Sequence, residues 1–348
     1  MPIRGIGRLK QVARRIHNRV SPGTVILLYH RIVDLPSDPQ LLCVSPRHFA
    51  EHIEVLTRRA PAVSLQHLSR SLQSRTVPKR RVVVTFDDGT VDNLYNAKPI
   101  LAGNDCPATV FIATGNINSD REFWWDELDR IFLQPRKLPE QLRVNIDGKL
   151  FERDLGPAAL YSEDEFRRDQ SWNVLRSEIP GARQSTYISL FDLLRPLTSD
   201  QRRETIVELQ EWSKAGSSGR HTHEVLACSE IRELADGDLI EVGAHTVTHP
   251  VLSSICVEAQ RDEIRNSKLE LEAILEKPVT SFAYPYGQRG DYTGATVKLV
   301  KEEGFACVCS NFTGVVQPGV DRFQLPRFVV RDWSGDEFER RLKEWFDG

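Results

Sequence analysis

The sequence lacks the features that mark a membrane protein, a nucleic-acid binder or a disulfide scaffold. No stretch approaches eighteen consecutive apolar residues, so a transmembrane helix is excluded on length. Forty-nine acidic and 46 basic residues leave a formal net charge of -3, too balanced to make nucleic acid or another polyanion the main ligand. The six cysteines show no C-x-x-C spacing and no dense framework. Cys307 and Cys309 alternate within "FACVCS" and read as small apolar side chains on one face of a strand. No repeat or low-complexity tract occurs. The N-terminal "MPIRGIGRLKQVARRIHNRV" is basic but has neither the apolar core nor the small-residue cleavage site of a secretion signal. A reducing cytoplasm is the simplest location for such a chain. Within residues 1–21, Ile6, Leu9, Val12, Ala13 and Ile16 lie at helical spacing among Arg and Lys. They could form a helix resting peripherally on a membrane, but a helix packed on the domain or frayed in solvent is the preferred reading.

What the chain does have is the make-up of an ordinary globular protein, 348 residues with 40% hydrophobic and 27% charged. That length suits two domains, or one α/β barrel carrying an insertion. Short apolar runs read as strands at "TVILLYH", "RVVVTF", "ATVFIAT", "LIEVGAH", "TSFAYP", "FACVCS" and "FQLPRF". Helical patterns separate most of them. "SPRHFAEHIEVLTRR" starts with Ser45 as N-cap and Pro46 in the first turn, while "DNLYNAKPILAG" and "TGATVKLVKEEG" stop at a glycine. Residues 258–276 read as a longer charged helix. This alternation predicts a parallel sheet or βα barrel of about seven strands, built from residues 22–118 and 236–348. Residues 119–235 interrupt it and read as a mostly helical insertion. In "FWWDELDRIFL", Trp124, Leu128, Ile131 and Phe132 form one helical stripe of core type.

The chemistry gathers at strand ends. "VVVTFDDGT" runs an apolar strand into two adjacent carboxylates, Asp87 and Asp88, which repel unless a positive charge lies beside them. An Asp-Gly turn alone would be the plain explanation. "EVGAHTVTHP" ends another strand at His245 and adds His249 four residues on, a separation that lets two imidazoles face one point. In a βα barrel the C-terminal strand ends meet at one mouth, where active sites sit. One carboxylate and two imidazoles there suit a catalytic divalent metal, with the other carboxylate free to act as a base. His221 and His223, in "KAGSSGRHTH", have a suggestive H-x-H spacing but read as linker histidines, since they end no strand.

"TFDDG", "HTVTHP" and "YPYG", in this order, resemble the motifs of the NodB-homology polysaccharide deacetylases, carbohydrate esterase family four. The resemblance covers about residues 22–118 and 236–333 and implies a distorted barrel of about seven strands. It implies that Asp87 is the general base and that Asp88, His245 and His249 bind one divalent metal ion. Zinc is the default for such ligands, with nickel, cobalt or iron also acceptable to them. The implied reaction is hydrolysis of an N-acetyl group on an amino-sugar glycan, the oxyanion being met by the metal and the backbone N–H of Tyr286. A silent carbohydrate-binding relative is the alternative.

Two departures from the family pattern stand out. Ser281 occupies the place, four residues before the motif proline, of an arginine that braces the catalytic Asp, and Arg327 in "LPRF" is the best replacement. The late Leu-x-His-Asp motif that supplies a general acid is missing, since no histidine follows His249. His30, which ends the apolar strand "VILLYH", is expected to fill that role through a circular permutation of the barrel.

Overall fold

The structure, a computed structural model, describes residues 23–347, so the basic N-terminal segment and its candidate membrane-surface helix lie outside the described residues. Seven strands form one parallel sheet: β1 (Thr24–Tyr29), β2 (Arg81–Phe86), β3 (Ala108–Ile112), β4 (Ile240–Ala244), β5 (Ser281–Ala283), β6 (Cys307–Cys309) and β7 (Phe328–Val329). Their order across the sheet is β6-β5-β4-β3-β2-β1-β7. Each strand is therefore laid beside its predecessor up to β6, and β7 returns to flank β1.

Residues 322–330 join the two edges. Leu325 bridges Cys309 of β6, while Phe328 and Val329 pair with Leu27 and Leu28 of β1. The Val308 amide donates to the Arg322 carbonyl at 2.8 Å, and the Val330 amide to the Leu28 carbonyl at 2.9 Å. Pro326 lies where the segment leaves one edge for the other, and there a missing N–H breaks no ladder. The result is the distorted barrel of about seven strands that the pattern implied. The last strand is shifted, however: of "FQLPRF" only Phe328 belongs to β7, because the residues before it serve the crossing.

Period-two alternation divides the side chains between two cores. Ile26, Val83, Phe111, Ala283, Cys307 and Cys309 fill the barrel together with Val316 and Leu325. Val25, Leu27, Val82, Val84, Val110 and Phe282 face outward beneath the helices. The interior is tight at Gly243, where a Cβ would lie 2.5 Å from the Phe111 ring and 2.7 Å from Ser281 Oγ. Outside, α1 (Pro46–Arg59) is capped by the Ser45 hydroxyl, which accepts from the His48 amide, with proline in the first turn as expected.

Between β3 and β4, residues 119–235 carry a core of their own. Leu128, Ile131 and Phe132 of α2 (Trp124–Phe132) meet Tyr187 and Leu190 of α3 (Ala182–Leu194) and Ile206 and Leu209 of α4 (Ser199–Ser213). The region also holds an antiparallel hairpin, Gln141–Ile146 against Lys149–Asp154. Asp147 and Gly148 at its tip have φ of 50° and 76°, the paired left-handed residues of a type I′ turn. The mostly helical reading of this stretch passes over that Asp-Gly signal.

Candidate active site

The alternation that fills the barrel also aims the side chains at its mouth. On β2, Val83 and Thr85 face inward, and the next residue of that register is Asp87. On β1 the same step leads from Ile26 to His30, and on β4 from Gly243 to His245. Neighbouring backbones keep these ends aligned: the Asp87 amide donates to the Tyr29 carbonyl and the His245 amide to the Ile112 carbonyl, both at 3.0 Å. All three residues, with Asp88, His249 and Tyr286, line one cavity of about 250 Å³. Asp88 reaches it by a left-handed turn, φ 77°, followed by Gly89 at φ 79°. A Cβ on Gly89 would come within 2.9 Å of the Ile112 side chain, so the turn needs glycine as well as aspartate.

Asp88, His245 and His249 bring one ligand atom each within 4.8 Å of one another. Asp88 Oδ1 lies 3.7 Å from His245 Nε2 and 3.5 Å from His249 Nε2. Ligand bonds of about 2.0–2.1 Å at tetrahedral angles place donor atoms roughly 3.4 Å apart, so the spacing fits a zinc-sized ion. His245 Nδ1 is 2.7 Å from the Ala283 carbonyl, which must accept its proton and leaves Nε2 as a free lone pair. Asp88 Oδ1 is buried and makes no hydrogen bond. Burial and the neighbouring Asp87 push this carboxyl up to about 8. Burial likewise holds both histidines below the usual imidazole range, in the neutral form that ligates metals. A buried carboxyl whose Oδ1 has no hydrogen bond, facing two neutral imidazoles, is chemistry that a divalent cation completes by favouring the ionised form.

Asp87 has a different environment. Arg327, fully buried, donates Nη1 to Oδ1 and Nη2 to Oδ2 of Asp87, both at 2.7 Å. Its Nε is tied to the Ser310 carbonyl at 2.8 Å, and Nη1 also reaches Thr85 Oγ1 at 3.2 Å. Burial alone would raise Asp87, but the charge of Arg327 and its two hydrogen bonds outweigh it and hold the carboxyl below its ordinary value. The two adjacent carboxylates thus answer to different partners. Ser281 meanwhile donates to Glu241 at 2.8 Å, so the brace comes from the closing segment.

Around this centre, His30 and Arg331 stand on one wall and Trp125, Phe191 and Arg195 on another. Trp125 packs edge-on against His249 at 5.0 Å and stacks on Phe123 at 4.6 Å. The stripe reading took Trp124, Leu128, Ile131 and Phe132 as core, and the cavity takes the tryptophan beside it. His30 is half-buried, and desolvation drives it down to about 3, so it is neutral in the resting cavity at pH 7. Tyr286 has φ 58°, and its amide makes no hydrogen bond among the described residues. His221 is exposed, but His223 is not a linker residue: it is 6% exposed and lies 3.9 Å from Asp126, whose carboxylate pairs with Arg31. The sequence held no signal for this, because the contact joins residues far apart in the chain.

The polysaccharide deacetylase family model matches residues 74–137 and 206–308. No curated protein matches the chain. Among solved structures, the chain is similar to the Streptococcus pyogenes deacetylase PplD in complex with acetate, with 16% identity and a TM-score of 0.57 over 92% of this chain and 99% of that one. IcaB from Ammonifex degensii gives 17% and 0.57 over 94% and 98%. A de-N-acetylase from Aggregatibacter actinomycetemcomitans gives 14% and 0.53 over 92% and 99%. At these identities the likeness is one of fold. The family model spans the strand ends that carry Asp87, Asp88, His245 and His249, and with the three motifs meeting at one mouth the chain is a hydrolase of the polysaccharide deacetylase family.

Proposed function

We propose that this protein removes N-acetyl groups from an N-acetylhexosamine-containing polysaccharide or lipid-linked glycan, using one divalent metal, preferably zinc, held by Asp88, His245 and His249. The observation that carries the reading is the contrast between two adjacent carboxylates, one clamped by Arg327 and one unpartnered before two imidazoles. Such an ion, when bound, supplies a Lewis acid for the acetyl carbonyl and makes water acidic enough to react near neutral pH. Asp87, kept ionised by Arg327, accepts the proton of the attacking water. The free amide of Tyr286 donates to the oxygen that gains charge as the carbonyl becomes tetrahedral. The amine departs only if it is protonated. His30, neutral at rest, takes up the proton that Asp87 has accepted from the water and passes it to the leaving nitrogen, which returns Asp87 to its ionised form. Acetate and a free amino sugar are the products. The aromatic wall of Trp125 and Phe191 suits the apolar face of a sugar ring. An intact base, brace and ligand set argues against a silent binding relative.

The test is acetate release from acetylated glucosamine oligomers by zinc-loaded protein. Asp87→Asn should retain its metal and lose about a hundredfold or more in turnover. A wild-type chain that binds zinc yet releases no acetate from any acetylated glycan would favour the binding relative.

A further inference from the structure

The metal-ligand motif "HTVTHP" is held from the insertion as well as from the barrel. Residues 245–249 leave β4 without regular secondary structure, and Thr246 and His249 take left-handed φ of 67° and 52°. A strained loop of this kind keeps its shape only if its backbone groups are tied elsewhere. Its amides are tied locally. Glu263, on α5 (Val257–Leu275), accepts from the Val247 and Thr248 amides at 2.8 Å each, and Thr246 Oγ1 accepts from the His249 amide at 3.2 Å. The Thr246 and Val247 carbonyls accept from the Thr114 and Gly115 amides at 3.1 and 2.8 Å. A Cβ on Gly115 would lie 2.7 Å from the Val247 carbonyl oxygen.

The last two carbonyls go to a single side chain. Arg202, in the first turn of α4, donates Nη2 to the Thr248 carbonyl at 3.1 Å and Nη1 to the His249 carbonyl at 3.4 Å. It is 3% exposed, has no carboxylate within 4.0 Å among the described residues, and lies over the Trp124 ring at 5.6 Å. A buried cation with no carboxylate in direct contact, only Tyr286 and Glu263 nearby, is a poor way to stabilise a fold, and an apolar side chain of similar size would often do better. Its arrangement makes sense through what it grips: the carbonyl of a proposed metal ligand and that of the residue before it.

We propose that Arg202 is a positioning residue for the metal, fixing the turn at His249 so that its imidazole stays opposed to Asp88. The inference rests on the reading of Asp88, His245 and His249 as ligands. It makes the insertion part of the metal centre instead of an appendage to the barrel. Loss of an outer partner of a metal ligand typically weakens affinity ~10–100-fold.

Zinc affinity of the full chain is measured by competition with a chromophoric chelator, alongside thermal unfolding of the metal-free protein. Arg202→Met should weaken zinc binding ~10–100-fold, while the metal-free midpoint stays level or rises. Arg202→Lys, which keeps the charge but loses the planar fork that reaches both carbonyls at once, should fall between. Wild-type zinc affinity in either folded variant overturns the proposal, and if the Met variant fails to fold the Lys variant decides alone. A lower metal-free midpoint with unchanged affinity would assign Arg202 a purely structural part. A wild-type chain that binds no divalent metal would overturn the ligand reading as well, which separates the two failures.

Discussion

Arg327 offers the sharpest test, because its partner, its geometry and its burial are all defined. Its fork makes two charge-assisted bonds of 2.7 Å to Asp87, and the two side chains are 0% and 6% exposed. Arg327→Lys keeps the charge but cannot make both in-plane bonds, and it also gives up the tie from Nε to the Ser310 carbonyl. Losing one charged bond is worth about 1.5–3 kcal/mol. Arg327→Met leaves a buried carboxylate alone, at about 3–5 kcal/mol. The pH dependence has a definite sign. The folded carboxyl of Asp87 lies below its ordinary value, despite burial, because Arg327 favours the ionised form. The stability from this pairing is therefore fully present above the unfolded value of about 3.9 and is lost as pH falls through the folded one. Urea unfolding at pH 7 should show the full deficit of the Met variant, and the gap from wild type should narrow below about pH 4. In parallel, turnover of the Lys variant should drop because Asp87 is no longer aimed. Wild-type urea midpoints and wild-type turnover in both variants would refute the reasoning.

The remaining predictions concern single histidines. His249→Ala should lose bound zinc and activity while keeping its far-ultraviolet circular dichroism, and a metallated, active variant would end the ligand assignment. His30→Ala should keep zinc, as read by metal analysis, and lose about 10²–10⁴ in turnover; near-normal turnover would remove it from the reaction. His52, far from that chemistry, stacks on Phe338 at 4.2 Å, lies 2.7 Å from the Trp333 carbonyl, and is pushed by burial from 6.5 to about 4. The unfolded chain then binds more protons between those pH values, so stability falls as pH drops through that window, by up to ~3 kcal/mol for this residue. His52→Gln should flatten that part of the stability-pH curve measured by urea unfolding, and an unchanged slope would contradict the burial argument.

The parts of the molecule legible in the sequence were those governed by local pattern. Strands buried on both faces read as unbroken apolar runs, and polar residues following them had to fall at the barrel mouth, which exposed Asp87, Asp88, His30 and His245. Arg327 was reachable only by asking what could replace the arginine missing at Ser281. What stayed hidden depends on partners distant in the chain. Nothing near Arg202 announces that it will grip carbonyls at residues 248 and 249. Nothing in the H-x-H spacing says that His223 will be buried against Asp126 while His221 stays in water. Trp124 and Trp125 are adjacent, and only the seating of α2 against the barrel decides which one meets His249.

The segment that closes the barrel also sets an order of events. Asp87 and the arginine that neutralises it are 240 residues apart, so a chain emerging N-terminus first presents its paired acids long before their counter-charge exists. Until residues 322–330 arrive, β1 and β6 are open edges and Asp87 has no reason to leave water. Burial of Asp87 is therefore a late step, one of high sequence separation, which marks folding as slow and the open sheet as the species at risk of pairing with a neighbour. The machinery becomes competent only when the barrel shuts.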